Sequence, residues 1–280
     1  MQIGFRSVAL GVCSSFIVGG LAWAQQAAAP ATKLNRERME EFLKNAKIVS
    51  RRGISIGVTN SLRAKLSDGS VDHDAHIQSI DMAKSQYQTD RGTELNFRDS
   101  WKFNIAAYRI DKLLELNMIP VSIERRVPGI GQAAVTWWVD DVLMDEVTRY
   151  KKKIEPPEIE NWNRQMYVVR IFDQLIYNVD RNLQNLVITK DWHVWMIDHT
   201  RAFRLFTALK EPQALVRCDR KLLDSLRRLD SQALRSEVRD YLTKPEIDGV
   251  LARRDRIVKF FEDQIARRGE AAVVFDFARH

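Results

Sequence analysis

A chain of 280 residues, 45% hydrophobic and 29% charged, can bury a core and is too apolar to be disordered as a whole. Its formal charge of +7 is spread along the chain, concentrated locally at 151–153 and 217–228. No stripe of interleaved aromatic and basic residues accompanies it, so nucleic acid is not an expected partner, whereas a basic surface still favours small polyanions.

Arg6 precedes a largely apolar run over 8–21, and Ala22, Trp23 and Ala24 form a small-x-small cleavage pattern, so residues 1–24 read as a signal peptide. Ser14 and Ser15 interrupt the run, which falls short of the roughly 20 residues a membrane span needs. An exported protein, periplasmic or secreted, with no stable transmembrane segment after cleavage at Gln25 is the expectation. Cys13 lies in this leader and Cys218 is alone beyond it, so no disulfide can form within the mature chain.

Residues 25–44 read as an Ala, Gln and Pro tether leading into a short amphipathic helix, with Met39, Phe42, Leu43 and Ala46 at helical spacing as it ends. Gly53 and Gly57 punctuate the next stretch. Alternation at Leu62, Ala64 and Leu66, then Asp68-Gly69, then an extended run ending near Ile80 predicts a β-hairpin. Residues 79–97 show no clean period and read as an irregular insertion. A helix is expected over 99–116, capped by Asp99 or Ser100, with Phe103, Ala107, Ile110 and Leu114 on one face. Two strands, 118–127 and 132–139, follow around a Pro-Gly-Ile-Gly turn. Residues 140–157 carry Pro156-Pro157 and read as a connector, and 160–177 as a helix.

The stretch 172–203 carries the chemistry. LVIT, KDW and HVWMI read as a β-hairpin turning at Lys190 and Asp191, which would set Asn185 opposite Asp198, with Asp180 one short loop upstream. A carboxylate and an amide oxygen at a sheet end suit a hard cation such as Mg²⁺. Helices are expected over 211–229, 231–242 and 244–267.

Three blocks, GVTNSLRAKLSDG, NIAAYRIDKLLELNMIP and FDQLIYNVDRNLQN followed by WMIDH, occur in the order seen in the protein-kinase-like fold. The chain resembles its atypical branches: phosphatidylinositol 3- and 4-kinases, HipA toxin kinases and secretory-pathway Golgi kinases. The resemblance implies an α+β, two-lobed fold with a β-rich N-lobe over 45–140 and a helical C-lobe over 141–280. It implies Asp180 as the residue that orients or deprotonates an acceptor hydroxyl, and Asn185 and Asp198 as ligands of Mg²⁺ or Mn²⁺. ATP or another nucleotide would be the cofactor and a hydroxyl-bearing molecule the acceptor. Asp173 and Asn178 would support the loop, with Arg181 steadying it or a phosphate. Gly57, Thr59, Gln78, Lys84, Asn104 and Val139 complete the implied nucleotide-binding set.

Two positions depart from the pattern. Gln78 stands where the family's phosphate-gripping lysine is expected and Asn104 where its glutamate partner is, which keeps a hydrogen-bonding pair and drops both charges. Lys84 and Glu94 are candidates for a relocated pair. The alternative to an active kinase is therefore a pseudokinase that binds a ligand or a protein, and a third reading is a basic envelope protein with no nucleotide site. His73 and His76, three apart on a strand, face opposite sides and do not read as a metal site. One of Trp137 and Trp138 is expected in the core, and Cys218 on a helix as a small buried hydrophobe.

Overall fold

The computed structural model describes residues 34–54, 61–89 and 92–278. The expected signal peptide and tether, with Gly57 and Thr59, lie outside the described residues. Among the described residues no helix is long and apolar enough to cross a membrane.

Helix α1 (Arg36–Asn45) starts where the Asn35 side chain accepts from the Arg38 N–H at 2.9 Å, and it buries Phe42 and Leu43. Strands β1 (Lys47–Gly53), β2 (Leu62–Ser67) and β3 (Asp72–Gln78) follow. Asp68 turns the β2–β3 hairpin by accepting from the Ser70 and Val71 N–H groups, at 2.9 and 2.8 Å. Strands β4 (Asp81–Thr89) and β5 (Gly92–Ser100) precede helix α2 (Lys102–Leu113), then β6 (Ser122–Val127) and β7 (Gly131–Trp137). Five of these strands form an antiparallel sheet in the order β1-β2-β3-β7-β6.

Register decides which residues share a face of that sheet. Ala64 pairs with Ala75, Ala75 with Trp137, and Ile77 with Val135, which places these buried side chains on one face. Phe42 of α1 meets Trp137 edge-on on that side, with ring centroids 5.6 Å apart. Burying each such large side chain contributes about 1.5–3 kcal/mol. Gln78 and Ala134 pair on the opposite face, where Ala134 packs with Trp101 and with Ile105 of α2. Buried Asp111 of α2 ties the layers together: it accepts from Arg36 of α1 at 2.7 Å and from the Met118 N–H at 2.9 Å.

Beyond β7, strand β8 (Val142–Asp145) and helix α3 (Glu146–Lys152) lead to α4 (Ile159–Ile176) and the hairpin of β9 (Leu186–Thr189) and β10 (Val194–Met196). β8 extends this hairpin into a three-stranded sheet, β10-β9-β8. β11 (Cys218–Asp219), α5 (Arg220–Arg228), α6 (Ser231–Val238), α7 (Lys244–Arg268), α8 (Glu270–Val273) and β12 (Val274–Phe275) complete the chain, with α7 packed on α4. A β-rich half followed by a helical half carrying a β-hairpin is the α+β plan expected.

Four local expectations are corrected. Residues 79–97 are not irregular: β4 and β5 pair along most of their length, and the alternation is masked because the outer part of this two-stranded ribbon is exposed on both sides and only its base, from Phe97, is buried. The connector 140–157 contains a strand and a helix, because β8 has β9 to pair with. Neither Asp99 nor Ser100 caps α2; both end β5, and Trp101 precedes the helix without a side-chain cap. Cys218 is buried as expected, but in β11 ahead of α5.

His76 of β3, flanked across the sheet by Arg63 and Thr136, is crowded by protein atoms although part of its ring meets solvent. That crowding pushes its pKa down to about 4 from the ordinary histidine value of 6.5. The folded state therefore binds fewer protons than the unfolded state between those values. The stability involved is fully present above pH 6.5 and is lost as pH falls toward 4. His76→Gln is expected to flatten this acid limb, read as the change in urea-unfolding free energy between pH 7 and pH 4 against the parent protein.

Candidate functional site

The site is built on the loop between α4 and β9. Tyr177 ends α4 in a left-handed conformation, and Asn178 then holds the turn: its N–H donates to the Asp173 carbonyl at 2.9 Å and its amide to the Asp173 carboxylate at 3.1 Å. The Asn178 side-chain oxygen in turn accepts from the Asp180 N–H at 3.0 Å, which leaves the Asp180 side chain exposed at the loop's crest. A short 3₁₀ turn, Leu183–Asn185, delivers Asn185 to the start of β9. Its amide nitrogen donates to the Asp180 carbonyl at 3.2 Å, an orientation assigned from the hydrogen-bond network that leaves the side-chain oxygen for another ligand.

Arg181 ties three elements together with all five of its N–H donors. Nε and Nη2 reach the Asp173 carboxylate on α4 at 3.0 Å each, Nη1 reaches the carbonyls of Asn185 at 3.1 Å and Ile197 at 2.9 Å, and Nη2 also meets His199 Nε2 at 2.9 Å. An arginine spent in this way fastens the loop and has no donor left for a phosphate. His199 is buried, and burial with the Arg181 charge beside it holds its pKa well below the ordinary histidine value. The ring is neutral at neutral pH, with Nε2 as the acceptor.

The hairpin register differs by one residue from the expected one. Met196 pairs with Leu186, and the Ile197 N–H donates to the Asn185 carbonyl at 3.0 Å, so Ile197 stands opposite Asn185 and Asp198 lies one step beyond. The loop is longer than Lys190 and Asp191 alone: the Thr189 N–H reaches the His193 carbonyl, and Trp192 takes a left-handed conformation. Gln165 of α4 fixes this loop, donating to the Trp192 carbonyl at 2.9 Å and accepting from the Val194 N–H at 2.8 Å. Asp198 has a φ of 53°, which breaks the strand's alternation at the residue where the side chain must leave the hairpin.

Asp198 keeps contact with solvent at the open side of the cleft while protein atoms crowd it on the others. Crowding raises its pKa, the hydroxyl and N–H of Thr200 oppose this, and the nearby Asp180 charge raises it further. Asp180 and Asp198 thus face one volume. A divalent cation would reverse both unfavourable effects. One carboxylate and one amide oxygen fit Mg²⁺, which takes few protein oxygens and completes its shell with water and phosphate. Among the described residues no group of three or more His, Cys, Asp or Glu side chains is placed to hold a metal by itself.

Across the cleft, Asn104 donates to Gln78 Oε1 at 2.7 Å and accepts from the His199 N–H at 2.8 Å. The pair read from the sequence is thus in contact, and it continues into the strand that carries Asp198. Lys84 is elsewhere, exposed on β4 with its ammonium over the Tyr87 ring, and Glu94 does not answer it. Glu94 instead pairs with Arg201 and Arg204, each at 2.5 Å. Val139 lies half-buried just after β7, in the crossing between the two halves.

Sequence reasoning missed Asp99, Thr200, Arg201 and Arg204. Thr200 hydrogen-bonds both Asp198 and Asp99, and Asp99 is buried with Oδ1 unpartnered among the described residues. Burial and the Asp198 charge push the Asp99 carboxyl up. The only available signal was the unbroken run from Asp99 into the helix, which invites reading it as a cap.

The chain has an atypical protein-kinase-like fold. It is similar to the solved structure of hydra Fam20 with sugar, at TM-score 0.68 and 14% identity over 88% of this chain and 94% of that one. It is also similar to the Golgi casein kinase, at TM-score 0.61 and 14% identity over 86% and 80%, and to that kinase with Mn/ADP bound, at 0.62 and 12% over 85% and 78%. No family model and no curated protein sequence matches the chain.

Arg181→Met leaves Asp173 recessed without its partner, and a broken buried pair costs about 3–5 kcal/mol. Urea unfolding should register a loss of that order, whereas Lys84→Met, on the exposed face of β4, should change stability by under about 0.5 kcal/mol.

Proposed function

We propose that this chain binds a nucleotide with Mg²⁺ or Mn²⁺ between its lobes and transfers a phosphoryl group from ATP to a hydroxyl of a protein, lipid or small molecule. The observation that carries the reading is the Arg181 fastening, which gathers α4, the Asp180 loop and the strand leading to Asp198 around one volume. A similar fold solved with Mn/ADP supports the choice of ligands.

Asn185 Oδ1 and the Asp198 carboxylate would hold the cation, which supplies charge neutralisation for the phosphates. Asp180 accepts the proton of the acceptor hydroxyl as its oxygen bonds to the terminal phosphorus and the bond to the departing diphosphate breaks. Arg181, Asn178 and Asp173 hold Asp180 in place and touch no reacting atom. Gln78 brings an amide where an ammonium is usual, so no cation stands at that place for the phosphates. Export rests on residues 1–24, and a mature N-terminus at Gln25 on the exported protein would support it.

A second reading is favoured by Gln78 and Asn104: a pseudokinase that binds its ligand without turnover. Calorimetry decides between them in two stages. ATP is expected to bind in the presence of Mg²⁺ and not in excess EDTA, and Asp198→Ala and Asn185→Ala are expected to abolish that binding; no Mg²⁺-dependent binding by the parent protein sinks both readings. Asp180→Asn is expected to keep binding and lose about 10²–10⁴-fold of phosphate transfer, the size of a general-base contribution. Binding without any transfer by the parent protein leaves the pseudokinase.

A further inference from the structure

Six residues past Asp198, Arg204 begins a segment whose apolar side chains are turned outward. Leu205 is 47% and Phe206 62% exposed, and across a groove of about 390 Å³ stands Leu95 of β5, also 62% exposed. Ala83, Lys84, Phe97 and Pro245 complete the walls.

The outward pose is held by two arginines that bond to its backbone and to β5. Arg253 of α7, fully buried, donates Nη1 to the Arg204 carbonyl at 3.0 Å and to the Phe206 carbonyl, and Nε to the Leu175 carbonyl at 2.8 Å. Arg204 donates to the Arg98 carbonyl at 2.8 Å and pairs with Glu94, which fastens the segment to β5 from the other side. Apolar side chains held in water by a buried cation are an unusual use of burial, because the fold gains no core from them.

We propose that this groove docks an extended peptide bearing apolar and acidic side chains and that, where the kinase reading above holds, this peptide carries the acceptor hydroxyl. Charge selects the occupant. Lys84 has no ion pair among the described residues and rests on the Tyr87 ring. Part-exposed Arg98 pairs with the buried Glu246 carboxylate at 3.6 Å, and Arg204 with Glu94, so Lys84 supplies the uncompensated charge of the lining. The groove therefore presents positive charge beside apolar walls. Its concavity accommodates one or two side chains, as in peptide recognition, whereas a membrane surface calls for a broad, convex apolar face with several basic residues.

The test uses the mature chain without nucleotide against a positional-scanning array of acetylated octapeptides, each with a central serine. Leu, Ile or Phe is expected to be enriched at one position and Asp or Glu within three residues of it. Leu95→Asp and Phe206→Asp, both at exposed positions, are expected to weaken the best peptide at least tenfold by fluorescence anisotropy with unchanged thermal midpoints. Lys84→Glu is expected to shift the preference from acidic toward basic residues. No enrichment, or equal affinity across the variants, overturns the proposal. So does a Phe206→Asp-sensitive affinity for phosphatidylglycerol vesicles, or a Phe206→Asp-sensitive dimer in sedimentation, in place of peptide binding. Mg²⁺-ATP binding is followed in the same variants, where no change is expected. Peptide binding by a chain that binds no nucleotide overturns the acceptor role and the kinase reading together while the docking surface stands.

Discussion

The planar fork of Arg181 is the constraint on which the rest of the site depends. Helix, loop and strand each approach it from a different direction, and only a guanidinium presents five donors in geometry rigid enough to meet a carboxylate edge-on and two carbonyls at once. A lysine could neutralise Asp173 but could not define the angle between α4 and the Asp180 loop. The same arrangement explains why His199 must be neutral: its Nε2 accepts from a cation, and a second positive charge there would meet Arg181 in a buried place. One side chain thus sets a loop, a strand end and a tautomer.

Opposite it, Gln78, Asn104 and the His199 backbone form an uncharged relay between the sheet and the strand bearing Asp198. Both side chains are buried. An ion pair at this place would have to repay the desolvation of two charges, while two amides reach the same connectivity at far smaller desolvation cost. The relay keeps the lobes in register without supplying a cation, so the mechanical half of the usual lysine–glutamate function survives apart from the electrostatic half.

Much of the plan was legible because period and order survive in one sequence: alternation in β2, β3 and β7, helical spacing in α2 and α4, and the DRNLQN-to-ID spacing are local patterns. What could not be read depends on partners distant in the chain. β4 and β5 show little apolar alternation because most of their ribbon stands clear of the core, which only Phe97 and the base of β5 enter. β8 is a strand only because β9 arrives some 40 residues later to pair with it. The one-residue register error at Asp198 arose because the sequence marks the turn and not its length: the three-residue loop 190–192 pairs Thr189 with His193 and so sets Ile197, not Asp198, opposite Asn185. Glu94 was paired with the wrong cation for the same reason, since Arg201 and Arg204 are more than 100 residues away.

The charges around the cleft argue for what must enter it. The chain is basic overall, yet the nearby cations are already committed: Arg181 to Asp173, and Arg201 and Arg204 to Glu94. Asp99 and Asp198 carry the opposite imbalance: crowding by protein atoms raises both carboxyls, the Asp198 charge raises Asp99 further, and the Asp180 charge raises Asp198 further. A bare nucleotide would bring more negative charge to this place and meet neutral amides where a lysine would have helped. On the proposed reading, therefore, the divalent cation is the principal electrostatic partner of the phosphates, and nucleotide affinity should follow the metal more steeply than in a site that keeps its lysine.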